Sequence, residues 1–383
     1  MAQKRTRILF IVIIFIFLIY FFIAARPIPR EIVLSSRWIN TLETDFIQDA
    51  EPPAPLFPSV SGDHYPFSLG LRFGFVNSSG NFLFNREKTQ EISLGKNMWT
   101  EYPAEPSGII INNILYGNEI DVQNSGGYPF ILDDRIFILG SEQNSLSEIS
   151  GSGNVLWTYD FGSPLTAIDA AAGLVVTGSL DGLIEVFNSR GERIFHFETS
   201  GSRYLVVLGC AISHNGNYIG IISGIDQQRF MLFERAGNEG DYRINYHEFV
   251  GEGFRRPVHI LFVDDDQRVI YERMGGIDSY NIRSRRVVNI PLDGEIAAID
   301  ESGSDGYLFL ITSHQDRLKK LVGIRFQSAG VFRRSSSAVD TVFLEASFKS
   351  DDVYLIRSGA AGGPSIFVIG GGTTLISFDL EEK

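Results

Sequence analysis

Residues Gly153–Gly201 read GNVLWTYDFGSPLTAIDAAAGLVVTGSLDGLIEVFNSRGERIFHFETSG. Four short runs, alternating or continuously apolar, fall at Leu165–Asp169, Leu174–Thr177, Leu183–Phe187 and Arg193–Glu198. They are separated by Ala172-Gly173, by Asp181-Gly182 and by Asn188-Ser189-Arg190-Gly191. Short strands bounded by Gly, Asn and Asp read as β-hairpins, and Asp-Gly is a strong two-residue hairpin signal.

Four consecutive antiparallel strands within roughly 40–50 residues make one propeller blade. Working outward, turn signals between the last two strands of each unit recur at Ser150–Gly153, Asn188–Gly191, Ala236–Gly240, Ile282–Arg286 and Ser328–Gly330. Their spacing of about 38–48 residues is the period of a blade. Second strands fall at Arg135–Leu139, Leu174–Thr177, Tyr218–Ser223, Val269–Arg273, Tyr307–Thr312 and Val353–Arg357. These six units and a less regular N-terminal one predict an all-β propeller of seven blades, with six or eight also compatible with the spacing. A closed ring leaves no open sheet edge, and the strands at Leu71–Phe84 are expected to complete a blade begun near Thr341–Phe378. Arg86–Asn124 reads as an irregular insertion.

Ahead of the propeller, Lys4, Arg5 and Arg7 precede the apolar run Ile8–Ala25, whose eighteen residues approach the length of a membrane span. The sequence therefore predicts one N-terminal transmembrane helix, an uncleaved signal anchor with its basic tip cytoplasmic, a cleaved signal peptide being the competing reading. Leu34, Trp38, Leu42 and Phe46 recur at spacing four, which predicts an amphipathic helix. Pro52, Pro53, Pro55 and Pro58 follow as a stiff spacer. The expected organisation is a cytoplasmic tip over 1–7, a membrane anchor over 8–25, helix and spacer over 26–67, and the propeller over 68–383. The expected location is a cell membrane, single-pass, with the C-terminal domain extracytoplasmic (periplasmic in a diderm bacterium).

A net charge of −13 repels phosphate backbones and speaks against nucleic acid as a partner. Cys210 is the sole cysteine, so neither an intrachain disulfide nor a Cys-based metal cage is available. Its apolar run, Leu205–Ile212, marks it as a buried small hydrophobe.

The segment LVVTGSLDGLIEVFNSRGERIFHFETSG, Leu174–Gly201, resembles a PQQ-type propeller repeat. AISHNGNYIGIISG, Ala211–Gly224, is similar to the second-strand region of WD-repeat propellers. Such repeats occur in quinoproteins and in scaffolding propellers such as the lipoprotein of the outer-membrane β-barrel assembly machine. The resemblance implies a propeller fold and, by analogy, a protein-binding scaffold in cell-envelope assembly.

The sequence holds no G-x-S-x-G, H-E-x-x-H, P-loop or C-x-x-C pattern. His247-Glu248 and His314-Gln315-Asp316 lack the further ligands zinc or copper needs. Asp264-Asp265-Asp266 lacks the glycine and distal glutamate of a calcium loop and reads as a hairpin turn. No cofactor, metal or catalytic residue is therefore expected, and the chain is not expected to be an enzyme. The candidate partner-binding residues are Met98, Trp99 and Tyr102 of the insertion, residue types favoured at interface hot spots, with Arg255 and Arg256. Arg285-Arg286, Lys319-Lys320 and Arg333-Arg334 would join these two in a basic rim if they shared a face, and otherwise read as solvated turns. The sequence thus points to a membrane-anchored scaffold that binds an envelope or membrane protein. The alternative is an enzyme or ligand sensor using the central channel, quinoprotein-like or metal-dependent.

Overall fold

A computed structural model describes residues 13–15, 17, 32–42, 64–123, 126–132, 134–237, 240–251, 253–300, 306–326, 340–358, 366–371 and 373–382. These residues form eight antiparallel sheets, seven of four strands and one of three. Blade one is the three-stranded sheet His64–Leu69, Arg72–Asn77 and Phe82–Glu87. Blade two spans Glu91–Leu94 to Asn118–Gln123, blade three Gly127–Leu132 to Val155–Asp160, and blade four Leu165–Ala171 to Arg193–Glu198. Blade five spans Val207–Ile212 to Tyr242–Gly251, blade six Ile260–Val263 to Arg286–Pro291, and blade seven Glu295–Ile299 to Thr341–Lys349. Blade eight takes Val353–Ser358, Ile366–Gly371 and Thr374–Glu382 from the C-terminal end and Ile32–Thr41 from the N-terminal end.

The core follows from this arrangement. There are eight buried apolar clusters among the described residues, and each lies between two adjacent blades. Blades four and five share Val176, Val186, Ile219 and Phe233, and blades eight and one share Leu375, Leu42, Phe67 and Val76. Each fully buried aliphatic or aromatic side chain contributes about 1.5–3 kcal/mol relative to exposure. A strand covered on both faces by neighbouring blades reads as a continuous apolar run. Val207–Ile212, buried throughout, shows this.

Four expectations are corrected. The ring has eight blades, not seven, because Arg86–Asn124 is no insertion: it contains a regular four-stranded blade, Glu91–Leu94, Met98–Tyr102, Gly108–Asn113 and Asn118–Gln123. Its first strand is only four residues long, and Pro103–Ser107 offers no tight-hairpin signal. Second, Leu34 and Trp38 of the expected amphipathic helix lie instead in the strand Ile32–Thr41, paired antiparallel with Thr374–Glu382; Leu42 follows that strand in a turn, and Phe46 lies outside the described residues. A spacing of four is even and so suits a strand as well, and a bulge between Ser36 and Trp38 breaks the alternation. Third, this strand completes the last blade, while Arg72–Asn77 and Phe82–Glu87 belong to blade one. The mixed-terminus closure is thus present, with a different N-terminal strand from the one expected.

The fourth correction concerns the membrane. Of Ile8–Ala25 only Ile13–Phe15 and Phe17 are described, and the Pro-rich stretch 52–58 lies outside the described residues. Among the described residues no helix is long and apolar enough to cross a membrane. The transmembrane helix, and the single-pass location inferred from it, are set aside on that finding.

Candidate interaction face

Met98 and Trp99 are interior residues, 5% and 4% exposed. Trp99 packs against Phe73 (5.4 Å between ring centroids) and Phe84 (5.2 Å), with the Arg86 guanidinium 5.3 Å above its ring. Trp99 thus fills the joint between blades one and two and Met98 the joint between blades two and three, so neither side chain presents a surface to a partner. Tyr102 is half-buried edge-on to Tyr128. Burial, and then Glu91 and Tyr128, raise its phenol above the ordinary value.

Arg255 is exposed, and Arg256 is half-buried. Arg256 Nη2 donates to Glu272 Oε1 at 2.7 Å and Nη1 to Oε2 at 3.1 Å, a two-point contact on a carboxylate that is itself buried. Its guanidinium also lies 4.2 Å from the Phe254 ring centroid. The Glu272 contact raises the Arg256 pKa further above its ordinary value. Arg285 and Arg286 are not on this rim: Arg286 pairs with Asn281, whereas Glu272 and Arg273 lie at the opposite end of the same blade, beside Gly276.

Around Arg256 the connections of blades four to six form one continuous strip. The turn at Leu180–Gly182 adjoins the connection 199–206, where Thr199 N–H donates to the Gly182 carbonyl at 3.0 Å. Asp226 accepts the Arg203 N–H at 3.0 Å and the Ser202 hydroxyl, tying that connection to blade five. Phe249 lies against Gly201, with the Arg229 guanidinium 5.8 Å from its ring. Arg203 sits 5.6 Å from the Tyr204 ring. Gln228 reaches across to the Phe254 carbonyl, and Arg256 and Glu272 border a groove with Met274. Leu180 (54%), Tyr204 (55%), Phe249 (56%) and Met274 (52%) are all well exposed along this strip.

Exposed aromatic rings carrying stacked arginines combine apolar area with oriented donors, the chemistry enriched at protein interfaces. Of the residues singled out from sequence, only Arg255 and Arg256 lie here. Leu180, Tyr204, Phe249, Met274, Arg203 and Arg229 were not anticipated. The available signal was the eight-residue connection between Glu198 and Val207, longer than the three residues joining blades six and seven.

A family described as "beta-propeller protein" matches residues 1–382. The chain belongs to this beta-propeller family. It is 24% identical over 377 residues to an uncharacterized protein of Treponema pallidum (strain Nichols), covering 95% of this chain and 97% of the relative. Among solved structures it resembles BamB from Moraxella catarrhalis (TM-score 0.56, 11% identity, covering 91% of this chain and all of that one). It also resembles a chain of the mitotic checkpoint complex (TM-score 0.52, 11% identity, covering 77% and 91%). These likenesses are to propellers as a class.

The central channel of the propeller holds two adjoining cavities of about 390 and 410 Å³ that share Ile168, Cys210 and Val258. The first is walled by side chains such as Phe130, Leu165 and Leu208; the second adds Asp169, His214 and His259. Asp169 and His214 are tied across blade joints, and the His259 backbone is bonded to Glu272 within blade six. Asp169 accepts the Ile212 N–H at 2.8 Å, and His214 Nδ1 is 3.0 Å from Asp266. Burial lowers the His259 pKa below its ordinary value, with Glu272 opposing and Arg256 adding to the shift. Among the described residues no group of three or more His, Cys, Asp and Glu is placed to hold a metal ion.

Proposed function

We propose that this beta-propeller is a protein-binding scaffold, a binder rather than a catalyst, and that its contact surface is the strip over blades four to six. The observation that carries this reading is the alignment of Leu180, Tyr204, Phe249 and Met274, each more than half exposed, on one run of hydrogen-bonded connections. Four large apolar side chains in one place, flanked by arginines, are the composition of a binding surface. The connections are fixed by Asp226, Gln228 and Glu272, so docking loses little loop entropy.

A photo-crosslinking residue placed at Tyr204 or at Met274 tests the surface in cell extract, with Tyr116 on blade two, 80% exposed, as control. The expected result is the same crosslinked partner from Tyr204 and Met274, none from Tyr116, and loss of that product in a Leu180→Asp, Phe249→Ala chain whose melting is unchanged. Crosslinking from Tyr116 alone, or products that ignore the double substitution, would move the contact surface elsewhere.

A further inference from the structure

At the other end of blade six, the turn 282–285 joins its two outer strands. Asn281 shapes it: the side-chain oxygen accepts Ser284 N–H at 2.7 Å and the carbonyl accepts Arg285 N–H at 2.8 Å. Arg285 adopts φ of +54°, a left-handed backbone that glycine takes freely and other side chains take at a cost. Arg283, Arg285 and Arg286 are all exposed there, and among the described residues none of them forms an ion pair.

Arg283 and Arg285 border a cleft of about 360 Å³ between blades five and six, whose other wall includes Tyr218, Glu234 and Asn245 of blade five. Glu234 accepts the Tyr218 hydroxyl at 3.3 Å and the Asn245 amide N–H. An ionised carboxylate has about four acceptor positions, so two of them are left. Asp266, also lining the cleft, is largely satisfied: it accepts the His214 and Asn215 backbone N–H groups and faces the His214 ring, each at 3.0 Å. The arginines close on neither Glu234 nor Asp266. Positive and negative groups thus face one another across a space large enough for a small molecule, with their charges uncompensated by each other.

We propose that this cleft binds a small zwitterion, its carboxylate or phosphate taken by Arg283 and Arg285 and its ammonium by Glu234. Guanidinium groups take planar or tetrahedral oxyanions in charge-assisted pairs, and Glu234, fixed by Tyr218 and Asn245, is an oriented acceptor for an ammonium. A ligand carrying both charges satisfies both walls. A simple anion would meet the arginines but leave its remaining charge toward Glu234. The site is independent of the strip over blades four to six.

Calorimetric titration of the full chain with phosphoethanolamine, glycylglycine, inorganic phosphate and ethanolamine tests this. One of the two zwitterions is expected to bind at least tenfold more tightly than phosphate or ethanolamine, and which one it is separates phosphate from carboxylate recognition. Glu234→Gln should reduce that zwitterion to the affinity of its anion alone. Arg285→Gly should abolish binding while raising the melting temperature, because it relieves the left-handed backbone; a residue kept for the fold would not behave so. If phosphoethanolamine is preferred, cosedimentation with phosphatidylethanolamine vesicles, lost in Arg285→Gly, assigns a lipid headgroup, and binding of the soluble probe alone assigns a free solute. No binding by either zwitterion, phosphate binding as tightly as phosphoethanolamine, or an Arg285→Gly chain of unchanged affinity would overturn the proposal.

Discussion

Arg268 and Asp340 form an ion pair at 2.8 Å with side chains only 4% and 2% exposed, joining blade six to the start of the last strand of blade seven. Ser279 donates to the same Asp340 oxygen at 2.8 Å, and Asp264 holds the Arg268 Nε at 3.1 Å. Removing two charges from water offsets most of their attraction, so the pair itself adds little net stability, whereas one orphaned member is expensive. Asp340→Ala should lower the unfolding free energy by about 3–5 kcal/mol, read from urea denaturation. Arg268→Met combined with Asp340→Leu should recover most of that loss. A cost below ~1 kcal/mol for Asp340→Ala would place the pair in the weak class of exposed ion pairs.

Asp266 supplies the acid dependence. Its carboxyl pays for burial, which raises the pKa, but the His214 side chain and the backbone N–H groups of His214 and Asn215 outweigh that and leave it below its ordinary value of 3.8. A depressed carboxyl contributes stability that is present above the unfolded-state value and lost as pH falls through the lower folded-state value. Chemical denaturation between pH 6 and pH 2 should therefore show stability falling below about pH 4. Asp266→Asn should be less stable at neutral pH by about 1–3 kcal/mol and show a flatter acid limb. An unchanged limb would move the acid sensitivity to other carboxylates.

Trp38 and Gly80 report on ring closure. A Cβ on Gly80 would lie 2.8 Å from the Trp38 ring, and the Gly80 φ is +88°; Trp38 Nε1 donates to the Ser78 carbonyl at 3.2 Å. Trp38→Ala should cost about 2 kcal/mol, below the range for a fully buried tryptophan because this one is half-buried. Gly80→Ala should also destabilise, through both backbone strain and the clash. In the double variant the clash disappears, so the two losses should fall short of additivity by about 0.5–3 kcal/mol. Strict additivity in thermal or urea denaturation would mean that the N-terminal strand does not press on blade one.

Legibility in the sequence followed turn chemistry. Blade four was readable because Asp181-Gly182 and Asn188–Gly191 mark its hairpins, and both glycines have positive φ, +88° and +73°. Blade two was missed because its first strand is only four residues long, its Pro103–Ser107 connection carries no such pair, and Met98–Thr100, buried on both faces, has the composition of an exposed recognition segment. The closing strand was misread because a bulge at Ser36–Trp38 and an even apolar spacing mimic a helix. Of the face over blades four to six, only Arg255 and Arg256 were legible. It depends on which side chains from separate connections converge, such as Phe249 on Gly201 and Arg256 on Glu272, and no local pattern encodes that.

Cys210 tests whether the channel admits reagents. Its thiol borders both channel cavities, yet the residue is only 8% exposed and Sγ lies 3.8 Å from the Val176 carbonyl. Burial, and then the Asp169 carboxylate, push the thiol pKa well above the ordinary cysteine value of 9.0. The thiolate is the reactive species, so the native chain at pH 8 should resist iodoacetamide over a period that fully alkylates it in urea, as read by intact mass. Raising the pH toward 9 should accelerate labelling of the unfolded chain and leave the native chain nearly inert. Rapid native labelling would show that the cavities open to solvent at Cys210, and would favour the channel as the working part of the molecule.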